Sequence, residues 1–258
     1  MIDVHHNFTH LHTMMASSFL AITAVFALYG AVPGTAFVVV VNRPAASVHR
    51  LASSNSDDLF VSEAWQPIQD DLDRVPIFTC ANKQGNPLAY TIEMKGEKFT
   101  VPFFYCDVED AKIELEKAAE GTGLDGIDLI PFPLGKAFKM WAQDEAVIIP
   151  SKQAIMQAGA PPDSNPIGQQ VPLFACMDIM QSDEDGTGAV LPLFLDLEGA
   201  NSAVASAVEI DGGDPNEFEV VSLSLQKAVQ LLATVPETPA FQFMAPEKSL
   251  RYIQDYLS

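Results

Sequence analysis

Val-Pro-aliphatic-Phe-x-Cys is spelled twice in this chain, as VPIFTC at 75–80 and VPLFAC at 171–176. One such stretch is an ordinary buried strand, because Pro is tolerated at a strand's first residues or edge. Two of them 96 residues apart ask whether the chain repeats one unit. Three further segments recur in the same order. TVPFFYCDVEDA (100–111) is echoed by VLPLFLDLEGA (190–200), with Pro102 over Pro192, Phe104 over Phe194 and, after a one-residue slip, Ala111 over Ala200. IDLIPFPLGKAFKMW (127–141) answers to FEVVSLSLQKAVQLL (218–232) at a constant spacing of 91, matching Leu134 with Leu225 and Lys136 with Lys227. AVIIPSKQAIMQA (146–158) meets QFMAPEKSLRYIQ (242–254), with Pro150 over Pro246 and Lys152 over Lys248. Ordered recurrence at nearly constant spacing predicts an internal duplication.

Each unit has a readable plan. In the first, VPIFT and KFTVPFFY are strands, and PLAYTIEMKGEK alternates around Lys95-Gly96 as a hairpin does. A helix over 107–121 follows: Asp107 caps its free N–H groups, Glu109 and Asp110 crowd its positive end, and Gly121 closes it. Val108, Ala111, Leu115 and Ala118 form its apolar stripe. The strand IDLIPF leads to a second helix whose Leu134, Ala137, Phe138 and Trp141 make an i, i+3, i+4, i+7 face, matched by Leu225, Ala228, Val229 and Leu232 in the second unit. The strand AVIIP and a short helix after Ser151 complete the unit. The expected fold is α/β, two tandem pseudo-symmetric lobes of strand-strand-helix-strand-helix-strand-helix each. The first spans 61–158 and the second 171–258, joined by GAPPDSNPIGQQ (159–170), whose three Pro and two Gly mark a connector.

The front of the chain reads as an address. An apolar run over 17–32 precedes GTA (34–36), small residues placed as in a secretory cleavage site, so 1–36 is assigned to a signal peptide; an uncleaved anchor reaching Val41 is the alternative. No Asp or Glu stands between Asp3 and Asp57, and the segment 37–60 opens with Phe37 and carries Arg43, Arg50 and four Ser before Asp57, the style of a transit peptide. Together they resemble the bipartite presequences of complex, red-lineage plastids.

Chemistry is excluded more readily than assigned. The net charge is −20, from 34 acids against 14 Lys and Arg, which disfavours nucleic acid and anionic membranes and favours a cationic partner. All five histidines lie at or before His49, so a processed chain has none for a Ser/His or Cys/His nucleophile pair or a His-based zinc site. Cys80, Cys106 and Cys176 show no C-x-x-C spacing, and a Cys80–Cys106 disulfide stays open. Catalytic, cofactor and metal residues are all expected to be none. A glycosidase working through two acids is the enzyme alternative, and no acid pair stands out for it.

The paired VP-aliphatic-F strands, the second strand ending Pro-(Leu/Val/Phe)-(Phe/Tyr) before an acidic Asp/Glu-x-Ala helix, and the aliphatic strand leading into an L-x-x-A helix, all repeated once, resemble the twenty-two-kilodalton Tic family. That family is the intermembrane-space component of the chloroplast import translocon, and the resemblance covers residues 72–257. It implies a chaperone-like binder of precursor proteins with basic transit peptides, working beside other translocon subunits in the plastid envelope intermembrane space, without a membrane span in the mature chain. The periplastidal space and stroma are alternative locations, and a non-catalytic scaffold or small-ligand-binding protein is the alternative role. The expected precursor contacts are an apolar groove beside Phe138 and Trp141, or Val229 and Leu232, with acids Asp107, Glu109 and Asp110 in one lobe and Asp214 and Glu217 in the other. The aromatic faces equally suit ordinary core packing, and the acids an ordinary solvated surface.

Overall fold

The computed structural model describes residues 36–37, 59–94, 97–122, 126–182, 189–211, 214–234 and 240–258. The expected signal and transit segments otherwise lie outside these residues. The strands are β1 (Ala36–Phe37), β2 (Pro76–Ala81), β3 (Ala89–Met94), β4 (Glu97–Tyr105), β5 (Asp128–Pro133), β6 (Val147–Ile149), β7 (Pro172–Cys176), β8 (Gln181–Ser182), β9 (Ala189–Phe194), β10 (Val220–Ser224) and β11 (Ala240–Met244). The helices are α1 (Trp65–Leu72), α2 (Val108–Thr122), α3 (Leu134–Ala142), α4 (Lys152–Gln157), α5 (Leu197–Asp211), α6 (Leu225–Thr234) and α7 (Glu247–Leu257). The mixture is α/β, as the strand and helix periods predict.

Two sheets form, and the pairings of the first recur in the second. In the first, β2 lies antiparallel between β4 and β5, and β6 runs parallel to β4. In the second, β7 lies antiparallel between β9 and β10, and β11 runs parallel to β9. Phe78 opposite Tyr105 has its counterpart in Phe174 opposite Phe194. The Leu134 N–H bonds the Val75 carbonyl at 3.0 Å, and the Leu225 N–H bonds that of Val171 at 2.8 Å. The hairpin forms with Met94 opposite Glu97. Its two turn residues lie outside the described set. β1 adds to the β3 edge in parallel.

Strand alternation sends β2 and β7 to two sides at once. Ile77 from the first and Leu173 and Ala175 from the second, with Val75 and Val171 just before them, enter one cluster together with Leu134, Phe138, Leu225 and Val229. The two sheets therefore face one another across α1, α3 and α6 and share a core. On the other sides, Phe78 and Cys80 lie under α2, while Phe174 and Ala200 of α5 form a separate cluster. The helix stripes behave as their spacing predicts, with Val108, Ala111 and Ala118 buried. Cys80 and Cys106 fall in different clusters, and all three cysteines are free, so the disulfide left open by the sequence does not form.

The last helix of each expected unit crosses to the other sheet. α4 ends the first unit, yet its Ala154 packs with Phe174, Phe194 and Ala200 of the second. α7 ends the second unit, yet its Ile253 packs with Phe78 and Leu129 of the first, and Tyr252 meets Phe78 edge-on at 5.4 Å. An unexpected helix, α1, adds a third tie. Trp65, Ile68 and Leu72 enter the shared core, the Asp73 carboxylate accepts from the Lys136 N–H at 3.0 Å, and Asp71 accepts from the Phe243 N–H at 3.2 Å. The approach of α1 to α3 is close enough that a Cβ on Gly135 would stand 2.8 Å from the Gln69 carbonyl oxygen.

Candidate functional site

The apolar residues expected to line a groove are core residues in part. Phe138 is 0% exposed and Val229 1%. Phe138 stacks on Trp65 at 6.0 Å and meets Trp141 at 5.4 Å. An incoming chain cannot reach Phe138 or Val229 without separating the sheets, which corrects the expected groove at those two positions. The cause is the shared core: the face that would line a groove on an isolated lobe is covered by the other half. Trp141 and Leu232 are half-buried at the margin of the same cluster.

The acids divide into two kinds. Asp107 is a buried cap, as its place before α2 predicts: its Oδ1 accepts from the Glu109 N–H at 2.8 Å and the Asp110 N–H at 3.3 Å, and its Oδ2 takes the Lys248 ammonium from α7. Asp110 is half-buried and accepts from the Lys152 N–H at 3.1 Å. Both therefore fasten the crossing helices and do not form a free acidic surface. Glu109 is exposed and pairs with Lys112 at 2.8 Å on its own helix. Asp214 and Glu217 are exposed, with Asp214 capping a single 3-10 turn over Pro215–Glu217. Lys248 and Asp196 are not among the expected contacts; Asp196, before α5, accepts from the Gly199 N–H at 2.8 Å. The echo of TVPFFYCDVEDA in VLPLFLDLEGA carries the signal for Asp196, since it sets that residue over Asp107.

The seam around Lys248 is electrostatically tuned. Burial raises the carboxyl pKa values of Asp110 and Asp196 above the ordinary range, as it does for Asp73 and Glu114. Burial acts to lower that of Lys248, but its bond to Asp107 and the charges of Asp107, Asp196 and Asp110 outweigh it and hold the ammonium above its usual value. A carboxyl whose folded pKa is raised binds its proton more tightly folded than unfolded, so stability rises as pH falls through the folded value toward the ordinary value of about 4. The melting temperature is accordingly expected to rise from pH 8 to pH 5, measured by circular dichroism in buffers of matched ionic strength; a fall over that range contradicts it. Above about pH 10.4 the contribution of Lys248 is lost as its raised pKa is passed.

Among the described residues no group of three or more His, Cys, Asp or Glu is arranged to hold a metal ion. Burial pushes the Cys80 thiol up to about 12, and that of Cys106 upward as well, which keeps both protonated. The void lined by Ser151, Ala154, Asp196 and Lys248 is about 10 Å³, room for no more than a water. Among the described residues no helix is long and apolar enough to cross a membrane.

No protein-family model matches the sequence, and no curated protein matches it at a meaningful level. Solved structures do match. Tic22 from Plasmodium falciparum superposes with a TM-score of 0.56 at 18% identity, over 74% of this chain and 97% of that one. Anabaena Tic22, a protein of protein transport, superposes with a TM-score of 0.58 at 19% identity, over 74% of this chain and 96% of that one. The chain has the Tic22 fold.

Proposed function

We propose that this chain, folded as the Tic22 structures are, is a component of plastid protein import that holds basic, unfolded precursor segments by non-covalent contact. The observation that carries the reading is the superposition over nearly the whole length of two Tic22 chains, one of them a protein of protein transport. The plastid-style presequence and the net charge of −20 support it independently, because a basic transit peptide is drawn along such a field. The compartment proposed is the envelope intermembrane space, with other translocon subunits as neighbours. Exposed Glu109, Asp214 and Glu217 steer the segment, and half-buried Trp141 and Leu232 offer apolar contact at the margin of the core.

Steering between exposed charges is screened beyond about 10 Å at 0.1 M ionic strength. A fluorescent basic transit peptide titrated with the processed protein should therefore bind, and its affinity should fall several-fold between about 0.05 M and about 0.5 M salt. No binding, or binding indifferent to salt, overturns the reading.

A further inference from the structure

We propose that β10 is the docking edge for the precursor: an extended basic protein segment adds to the second sheet as a further strand. The proposal rests on the precursor-binding reading above and assigns its site.

The two sheets treat their outer edges differently. Neighbouring residues in a strand direct their backbone groups to opposite sides, and the bonds from Leu134 to Val75 and from Leu225 to Val171 fix which way each residue points. Leu129, Pro131 and Pro133 of β5 turn away from β2, and Val220, Ser222 and Ser224 of β10 turn away from β7. On β5 every outward N–H is removed or used: two of the three residues are Pro, and the Leu129 N–H bonds Asp128 Oδ1 at 2.8 Å. The Leu129 carbonyl is used too, accepting from the Tyr252 hydroxyl of α7 at 3.2 Å. Prolines and covering helices are how natural sheets close an edge.

Among the described residues β10 has neither device. Its outward residues are Val and Ser, each with an N–H, and among the described residues no strand lies beyond it. The helix that crosses to this sheet is α4, of 6 residues against 11 in α7. Where α7 has Tyr252, the matched position in α4 is exposed Met156, which has no hydroxyl to give. The second sheet thus keeps an open row of donors and acceptors, the arrangement to which extended peptides add.

Charge selects the occupant. The chain on either side of the Val220–Cys176 pair carries Asp178, Asp214, Glu217 and Glu219, all exposed. Met177 and Met180 are exposed beside them, at 62% and 43%, and flexible thioethers accommodate varied side chains. An acidic, adaptable flank at an open edge suits a basic extended segment of loose sequence preference.

The test is the binding of the fluorescent basic transit peptide to the wild-type chain and to a Ser222→Pro, Ser224→Pro variant, which loses two outward donors and the Ser224 hydroxyl that accepts from the Lys227 N–H, but no bond to β7. The expected result is a Kd weakened about tenfold or more with unchanged circular dichroism. A second arm leaves the protein intact: peptides N-methylated at one alternate set of residues should lose binding about tenfold, while those methylated at the other set should not. Amide exchange at Ser222 and Ser224 should be fast in the free chain and slow in the complex. Equal loss for both methylated sets, or proline substitutions that leave Kd unchanged in a folded variant, overturn the edge assignment while the precursor-binding reading stands. Slow exchange at these amides in the free chain, or a β10-dependent dimer in sedimentation, overturns it in favour of this chain's own residues or a second copy. Failure of the peptide to bind wild type removes both.

Discussion

Phe138→Ala is expected to lower the stability of the folded chain by about 3–5 kcal/mol, and to do so in one transition that carries both sheets. The ring is fully buried between the halves, stacked on Trp65 and against Trp141, in a cluster that also holds Leu173 and Leu225 of the second half. Truncation removes the transfer energy of the ring and leaves a cavity that close-packed neighbours fill only in part. Urea unfolding followed by tryptophan fluorescence reports the region at once, because both tryptophans of the chain flank this ring. Circular dichroism reports the helices and sheets of both halves. Coincident transitions, shifted together by the substitution, are the expected result. A second half that unfolds at its wild-type midpoint would mean that the two sheets are cored independently.

Ile253→Ala is the second large effect, about 2–5 kcal/mol. Ile253 is 2% exposed and belongs to α7, the last helix, yet it packs with Phe78, Leu129 and Val108 of the first half. The substitution at the end of the chain should be felt at the beginning of the fold. Native-state amide exchange should quicken in β2 and β5, while β7 and β9, which contribute nothing to the cluster that holds Ile253, change by no more than the global loss of stability. Exchange that quickens only in the second sheet contradicts the crossing of α7. Lys248 at the start of the same helix adds the ion pair to Asp107 on α2, so apolar and polar contacts hold the crossing from two sides.

Much of this architecture is legible in the sequence, because it is local. The short apolar runs VPIFTC and VPLFAC predict buried strands, and β2 and β7 are buried along their whole length. The Lys95-Gly96 turn predicts the hairpin whose Met94–Glu97 pair is seen, and Asp107 and Ser151 cap the helices they precede. Periodicity also identifies the buried face of α3 and α6 through Phe138 and Val229. What it cannot identify is the body against which that face is buried: an apolar stripe looks the same whether it faces a groove or another sheet. The crossing of α4 and α7 is hidden for the same reason, since Ala154 and Ile253 would form equally good stripes over their own sheets. α1 was open to the same reading, with Trp65, Ile68 and Leu72 spaced i, i+3, i+7, but it precedes the first of the recurring segments and has no echo to mark it. The open edge of β10 was visible only by contrast: IDLIPFP and FEVVSLS align, and the prolines of the first have no counterpart in the second. Pro131 and Pro133 act by lacking an N–H, so their functional meaning depends on knowing that those groups face outward.

Whether this chain meets precursors in passage across the plastid envelope, as proposed, is decided in intact plastids: a radiolabelled precursor is arrested during import and crosslinked, and this chain is recovered by its own antibody after protease treatment of the outer surface. A crosslinked adduct is expected, with a chain that stays protease-protected until the outer envelope membrane is opened. A chain recovered only from the stroma, with no precursor adduct at any stage of import, would contradict it.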